Sequence, residues 1–295
     1  MRDRKITIST VNWYSSNYLD HLFKNLIDKA ENKNRLNFVI IDNTNNDDEK
    51  IHFISQKYNA HIIRNNPRGL KGSCGHASGL NFLTKQIKTQ YVLIVDPDIH
   101  VFKDNWDSFL LERIVSQGLT AIGTTYPKWQ LGKYHNFPNP VFCLYDSEKF
   151  FKLNPDWTPY DENSIIRIWD FIRRNLLRLT VLINRKAYDN SRFIRNYWTK
   201  IESFMGVCSK DTGWKIAKNA KRQDTKSVVF DSMMNTNIPK SNVFFEIAKE
   251  FELYYLDGEQ FMAHKYSTHA TTWKTKKGND NAYWNKCITD ISCRE

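Results

Sequence analysis

The sequence predicts an α/β protein: a mostly parallel sheet flanked by helices, with an α-rich region in its second half. Three observations lead there. Short β-branched or apolar runs alternate with segments of helical spacing over the first 125 residues, and strands separated by helices imply parallel β-α-β units. Three of those runs end directly in Asn or Asp. The 295 residues, 41% hydrophobic and 25% charged, have the composition of a folded globular chain rather than a disordered one.

Ile6 to Val11 is short and β-branched, which predicts a first strand. From Tyr18 to Ala30, Leu19, Leu22, Phe23, Leu26 and Ile27 fall at helical spacing. Phe38 to Ile41 is continuously apolar, as expected for a strand buried on both faces. Lys50 to Tyr58 predicts a short helix, and His61 to Arg64 a third strand. Asn65 to His76 reads as a loop because of its Pro and Gly residues. A helix through Leu80, Leu83 and Ile87 follows, then a fourth strand, Tyr91 to Val95. Beyond it, Phe142 to Phe151 suggests a strand and turn, 160–205 a mostly helical Arg-rich block, and Asp211 to Ala220 a helix. The runs Val243 to Ile247 and Phe251 to Leu256 read as strands. This divides the chain into a first half, 1–125, a second half, 126–275, with a helical insertion at 160–205, and a basic tail, 276–295.

No run of about 18 apolar residues occurs, so no spanning helix is expected. The opening Met1-Arg-Asp-Arg-Lys shows no signal-peptide core. Five scattered Cys without a C-x-x-C pair argue against a disulfide framework and fit a reducing cytoplasm. The net charge of +11 points to an anionic partner.

Function is written at the strand ends. The first strand runs into Asn12, the second into Asp42-Asn43, the fourth into Asp96-Pro97-Asp98. In an open α/β sheet, ligands bind beyond the carboxyl ends of the strands. Each polar residue alone could be a turn former; three together point to one site. Two carboxylates two residues apart can hold a hard cation, Mg²⁺ or Mn²⁺, with positions left for phosphate. Such an ion would stabilise a departing diphosphate.

Four blocks, Thr10-Val-Asn-Trp-Tyr-Ser-Ser-Asn-Tyr-Leu, Val39-Ile-Ile-Asp-Asn-Thr-Asn-Asn-Asp, Asn66-Pro-Arg-Gly-Leu with His76-Ala-Ser-Gly-Leu-Asn, and Val92-Leu-Ile-Val-Asp-Pro-Asp, resemble in order and spacing those of GT-A (Rossmann-like) glycosyltransferases, family 2. The resemblance covers about the first 105 residues. It implies a nucleotide-sugar donor, UDP-, GDP- or dTDP-linked, and inverting transfer to an acceptor hydroxyl in surface glycan assembly. Carried over by position, it implies that Thr10 and Asn12 line the nucleotide pocket and that Asn43 sits beside Asp42. Asp42 would accept a hydrogen bond from the base, and Arg68 or Lys71 would approach the diphosphate or sugar. Asp96 would face the ribose and the hydrated metal, and Asp98 would bind the metal. The loop at 65–79 departs from the pattern through Pro67, Cys74 and His76.

The resemblance also implies a general base from an acidic residue opening a helix in the second half. Ser209-Lys-Asp-Thr-Gly-Trp matches that block, with Asp211 as the base. The alternative is that Asp211 caps its helix. Asp257 and Glu259 are reserve candidates, although Asp257-Gly258 reads as a hairpin turn. His264 resembles the late histidine that completes the metal site in GT-A enzymes, with His269 as its substitute; the alternative is a buried histidine satisfied by backbone. A zinc site from His264, His269, Cys287 and Cys293 fits no common spacing.

In 163–185, Ile165, Ile168, Trp169, Ile172, Leu176, Leu179 and Ile183 form one stripe at 100° per residue, with Arg167, Arg174, Arg178 and Arg185 opposite. The commoner arrangement sets such a stripe against the chain's own core; the alternative lays it on an anionic membrane, which suits the lipid-linked acceptors of many relatives. Trp214 and Trp273 are candidates for stacking on acceptor sugars. Two rival functions are weaker. A nucleotidyltransferase would carry a Gly-rich basic loop after the first strand, where Asn12-Trp-Tyr-Ser-Ser-Asn stands. A nucleic-acid-binding protein would leave carboxylates at the sheet edge unexplained, so no nucleic-acid partner is expected.

Overall fold

The computed structural model describes residues 4–87, 89–127, 130, 132–133, 135–176, 191–233, 237–265 and 280–292. The first half runs β1 (Ile6–Asn12), α1 (Ser16–Asp28), β2 (Leu36–Asp42), α2 (Lys50–Tyr58), β3 (His61–Arg64), α3 (Gly72–Gln86), β4 (Tyr91–Val95). Then follow β5 (Ile99–Val101), α4 (Trp106–Gln117), β6 (Ala121–Thr124), β7 (Phe142–Asp146) and α5 (Ser147–Phe151). Residues 164–176 are helical (α6). After them come α7 (Arg192–Met205), α8 (Trp214–Arg222), β8 (Ser227–Met233), α9 (Phe245–Glu250), β9 (Glu252–Leu256), β10 (Glu259–His264) and α10 (Asn281–Ser292).

The strands form one sheet in the order β3-β2-β1-β4-β7-β6-β8-β9-β10-β5. Its β3-β2-β1-β4 block is parallel, as the alternating pattern predicts. The strand β7 is antiparallel to both β4 and β6, β8 is parallel to β6, and β8-β9-β10-β5 is antiparallel throughout. Only residues 96–98 separate β4 from β5, yet the two lie six places apart in the strand order. Six steps across a flat sheet span about 29 Å, whereas four Cα–Cα steps from Val95 to Ile99 reach at most about 15 Å. The sheet must therefore curl until its β5 edge returns to the end of β4. That closure brings the second half of the chain to the acidic pair.

Burial explains the runs. Successive strand residues face opposite sides, so Ile8 and Ile40 pack with Leu19, Leu22, Phe23 and Leu26 of α1, while Val11, Val39 and Ile41 pack with Ala77, Leu80 and Leu83 of α3 and Ile216 of α8. A third core joins Ile247 and Phe251 to Leu253, Tyr255, Trp284, Ile288 and Ile291.

Several expectations are corrected. The run 243–247 is not a strand: Asn242 accepts from the Phe244 amide at 2.8 Å and Phe245 N bonds Asn242 O at 3.0 Å, a turn that starts α9. The expected loop ends early, because α3 begins at Gly72 and takes Ser73, Cys74 and His76 into its first turns. The 276–295 tail contains α10, whose Trp284, Cys287, Ile288 and Ile291 are buried at helical spacing. Within α6 the described part of the 163–185 stripe does not cover a core: Ile165, Ile168, Trp169, Ile172 and Leu176 are all exposed. Leu179, Ile183, Arg178, Arg185, His269, Trp273 and Cys293 lie outside the described residues. No helix among the described residues is long and apolar enough to cross a membrane.

Candidate functional site

Asp96 and Asp98 occupy the turn between β4 and β5, held by Asp96 N to Val141 O at 3.0 Å and Lys265 N to Asp98 O at 2.9 Å. In the antiparallel register His264 pairs with Ile99 on one side and with Glu252 on the other. His264 therefore stands beside Asp98, its Nε2 3.4 Å from Asp98 Oδ1 and 3.9 Å from Asp96 Oδ2. One ligand atom from each of Asp96, Asp98 and His264 lies within 4.8 Å of the others, a set that could hold a metal ion. Two carboxylates and one imidazole fit Mn²⁺ or Mg²⁺.

The far side of the imidazole is fixed as well. His264 Nδ1 lies 2.8 Å from Glu252 Oε2, which also accepts from the Tyr254 hydroxyl at 2.9 Å. Gln130 donates to Glu252 Oε1 at 2.6 Å. A carboxylate bound to one ring nitrogen directs the other, unprotonated, toward a metal. Burial by itself would lower the His264 pKa, but Asp98 and Glu252 outweigh it and raise it well above 6.5. Without an ion the imidazole is protonated and balances the carboxylates. Burial pushes the Asp96 carboxyl up, with Asp98 and Asp211 adding to the rise and His76 and His264 opposing it.

Asp211 enters from the second half. It precedes the first residue of α8, Trp214, and the left-handed Gly213 (φ +91°) stands at the cap without a side-chain cap bond. Helix capping is thus not its role. Its Oδ2 accepts from Lys133 Nζ at 2.6 Å and its Oδ1 from the Thr212 amide at 2.9 Å. Burial would raise its pKa, yet Lys133, Ser73 and the Thr212 amide bring it below the ordinary carboxylate value. Asp211 is therefore an ionised carboxylate whose charge reaches Asp96.

The α3 N-terminus completes the ring. His76 Nε2 is 3.5 Å from Asp96 Oδ1, and Ser73 O accepts from the Thr212 hydroxyl at 3.4 Å. Gly75 is required here, since a Cβ would come 2.9 Å from Leu70 O. Lys71 and Arg68 are exposed on the approach to this helix. Helix N-terminal amides with exposed Lys71 at the cap and Arg68 three residues before it suit an anion.

The ends of β1 and β2 are built differently. Asp42 is fully buried; its Oδ1 accepts from Thr44 N (3.0 Å) and Thr44 Oγ1 (2.6 Å), its Oδ2 from Asn46 N (2.9 Å). Both oxygens hold the turn 42–46, so the geometry gives it a turn-forming part in place of a free acceptor for a base. Asn12 Oδ1 accepts from Ser15 N and Oγ at 2.9 Å, and Asn43 Nδ2 donates to Gly75 O at 2.9 Å. Thr10 is fully buried, its hydroxyl without a protein partner. Asp257 and Glu259 sit at the β9–β10 turn, paired with Arg113 and Lys103. Glu259 is five residues from His264 along one strand, about 16 Å away, too far to act on the same substrate atom. Trp214 is buried, with Lys210 Nζ 4.3 Å from its ring centroid.

Sequence reasoning did not find Glu252, Lys133 or a role for His76. Glu252 carried a usable signal, an acid inside the apolar run Phe251 to Leu256, since a buried carboxylate needs a partner.

No protein-family model and no curated protein matches the chain. Solved structures show partial likeness. A mannosyltransferase from Pyrobaculum calidifontis, solved with GDP-Man and Mn²⁺, is 10% identical with a TM-score of 0.42 over 53% of this chain and 48% of its own. S. aureus TarS 1-349 with UDP-GlcNAc is 15% identical, TM-score 0.39, over 52% and 48%. Glucosyl-3-phosphoglycerate synthase from Mycobacterium tuberculosis with Mn²⁺ and UDP-Glc is 10% identical, TM-score 0.39, over 52% and 60%. The chain thus spans about half the length of the first two of these proteins and somewhat more of the third. At such overlap, what the site does rests on its own residues.

Proposed function

We propose that the chain is a metal-dependent, inverting GT-A glycosyltransferase of family 2, moving a sugar from a nucleotide-sugar to an acceptor hydroxyl of a surface glycan. The observation that carries this reading is the cluster of Asp96, Asp98 and His264, with an ionised Asp211 near enough for its charge to act on Asp96. Asp96, Asp98 and His264 would hold Mn²⁺ or Mg²⁺, which when bound neutralises the charge developing on a leaving diphosphate.

The chain's own residues do the rest. The α3 N-terminus, with Lys71 and Arg68, draws the diphosphate in. Asn12, Asp42 and Asn43, locked to one another, shape the floor under the nucleoside. Asp211 takes the proton of the acceptor hydroxyl as its oxygen attacks the anomeric carbon. The new C–O bond forms opposite the bond to the diphosphate, which leaves as nucleoside diphosphate, so the configuration inverts once. Lys133 keeps Asp211 charged until the acceptor arrives.

A thermal-shift screen of nucleoside diphosphates and nucleotide-sugars with and without Mn²⁺ tests this. The reading predicts a rise in melting temperature that needs both metal and nucleotide. No response to any of them, or one equal without metal, contradicts it.

A further inference from the structure

The helix α6 is oriented the wrong way round for a protein surrounded by water, and α7 also exposes large apolar side chains. In α6 the buried residue is Asp170, paired with Lys210 Nζ at 2.7 Å and with Arg173. At 100° per residue, Ile168 and Ile172 lie about 160° round the helix from Asp170. Those two are 62% and 42% exposed, and Ile165 and Trp169 beside them 77% and 58%. The polar face is docked and the apolar face looks out. On α7, Phe193, Tyr197 and Phe204 share one stripe and are 81%, 57% and 93% exposed. Monomeric proteins rarely display so many large apolar side chains together without a use for them.

Charge decides what covers the face. Arg192 and Lys200 are exposed on α7, Lys200 on the very stripe, while the exposed Arg167 of α6 lies on the side away from its apolar stripe. We propose that the exposed apolar faces of α6 and α7 lie on an anionic lipid bilayer, their aromatic and aliphatic side chains in the headgroup–acyl boundary and the α7 cations Arg192 and Lys200 among lipid phosphates. A long Lys side chain within an apolar stripe suits an interface, because its stem stays apolar while its ammonium reaches the headgroups. Lys210, which anchors α6, directly precedes Asp211. The lipid-facing helix and the proposed base therefore share one support, and an acceptor carried in the membrane would be delivered beside it.

Vesicle co-sedimentation tests the patch without metal, donor or turnover, so its failure is separate from any failure of the transferase reading. The full chain should pellet with phosphatidylcholine vesicles containing phosphatidylglycerol, and far less with phosphatidylcholine alone or at high salt. Ile168→Asp with Trp169→Asp and Phe193→Asp should cut vesicle affinity by about tenfold or more. Arg192→Gln with Lys200→Gln should do the same for anionic vesicles only. All these side chains are exposed, so the melting temperature should hold. A wild-type chain that stays in the supernatant at low salt, or an apolar triple variant that binds undiminished, overturns the proposal. So does a dimer in sedimentation velocity that the same triple variant disperses, which would assign the patch to a second copy of the chain.

Discussion

At the carboxyl ends of β1 and β2, Asn12 bonds Ser15 and Asp42, Asp42 bonds Thr44 and Asn46, and Asn43 bonds Gly75 and Asn65. At the end of β4, Asp96 and Asp98 instead meet His264 of β10 and His76 of α3, with Glu252 of β9 holding His264 and the charge of Asp211 acting on Asp96. The ends of β1 and β2 are scaffold, their Asn12, Asp42 and Asn43 side chains bonded within the protein. The end of β4 carries the charged cluster, and the antiparallel half completes it with His264 and Glu252. A polar residue at a strand end marks the rim of a site, and the charge it leaves unanswered marks the reacting centre.

This contrast gives an order of effects. Asp98→Ala should be the most damaging, abolishing metal-dependent nucleotide binding in calorimetry and all turnover, whereas Asn43→Ala should cost stability and leave metal binding intact. Asp211→Asn should keep donor affinity and lose about 10²- to 10⁴-fold in turnover; a fall in donor affinity instead would move Asp211 to the scaffold side of the comparison. Glu252→Gln keeps the shape but weakens the hold on His264 Nδ1, and should weaken Mn²⁺ binding about 10- to 100-fold, with nucleotide affinity at saturating metal nearly unchanged.

The smallest effect is on pH. The His264 pKa is raised above 6.5 in the folded chain. In the metal-free protein the stability this contributes is complete below 6.5 and lost as pH rises through the raised value. Metal must displace that proton, so Mn²⁺ affinity should fall about tenfold per unit as pH drops below it. Calorimetric titrations across pH check the slope. Asp211, held below the usual carboxylate value of 3.8, should not set the acid limb of activity.

Much of the parallel half is legible in the sequence because each strand is a local apolar run. The Asp96-Pro97-Asp98 turn is legible because it follows such a run directly. Glu252 is harder to see, since its partnership with His264 exists only through the β9–β10 register, and register is a pairing property. Lys133 lies in a stretch without periodicity, so nothing local aims it at Asp211. The α6 stripe is plain in the sequence, but a helical wheel does not say which face meets the core; Asp170 and its partner Lys210 decide that, forty residues apart.

The central claim is that Asp96, Asp98 and His264 together hold a divalent ion beside a nucleotide. Titration of Mn²⁺ followed by electron paramagnetic resonance, in the wild type and in His264→Ala, tests it most directly. The wild type should show one tight Mn²⁺ site, tightened further by nucleoside diphosphate and weakened strongly in the variant. Equal Mn²⁺ binding by both chains, or a site indifferent to the nucleotide, would contradict it.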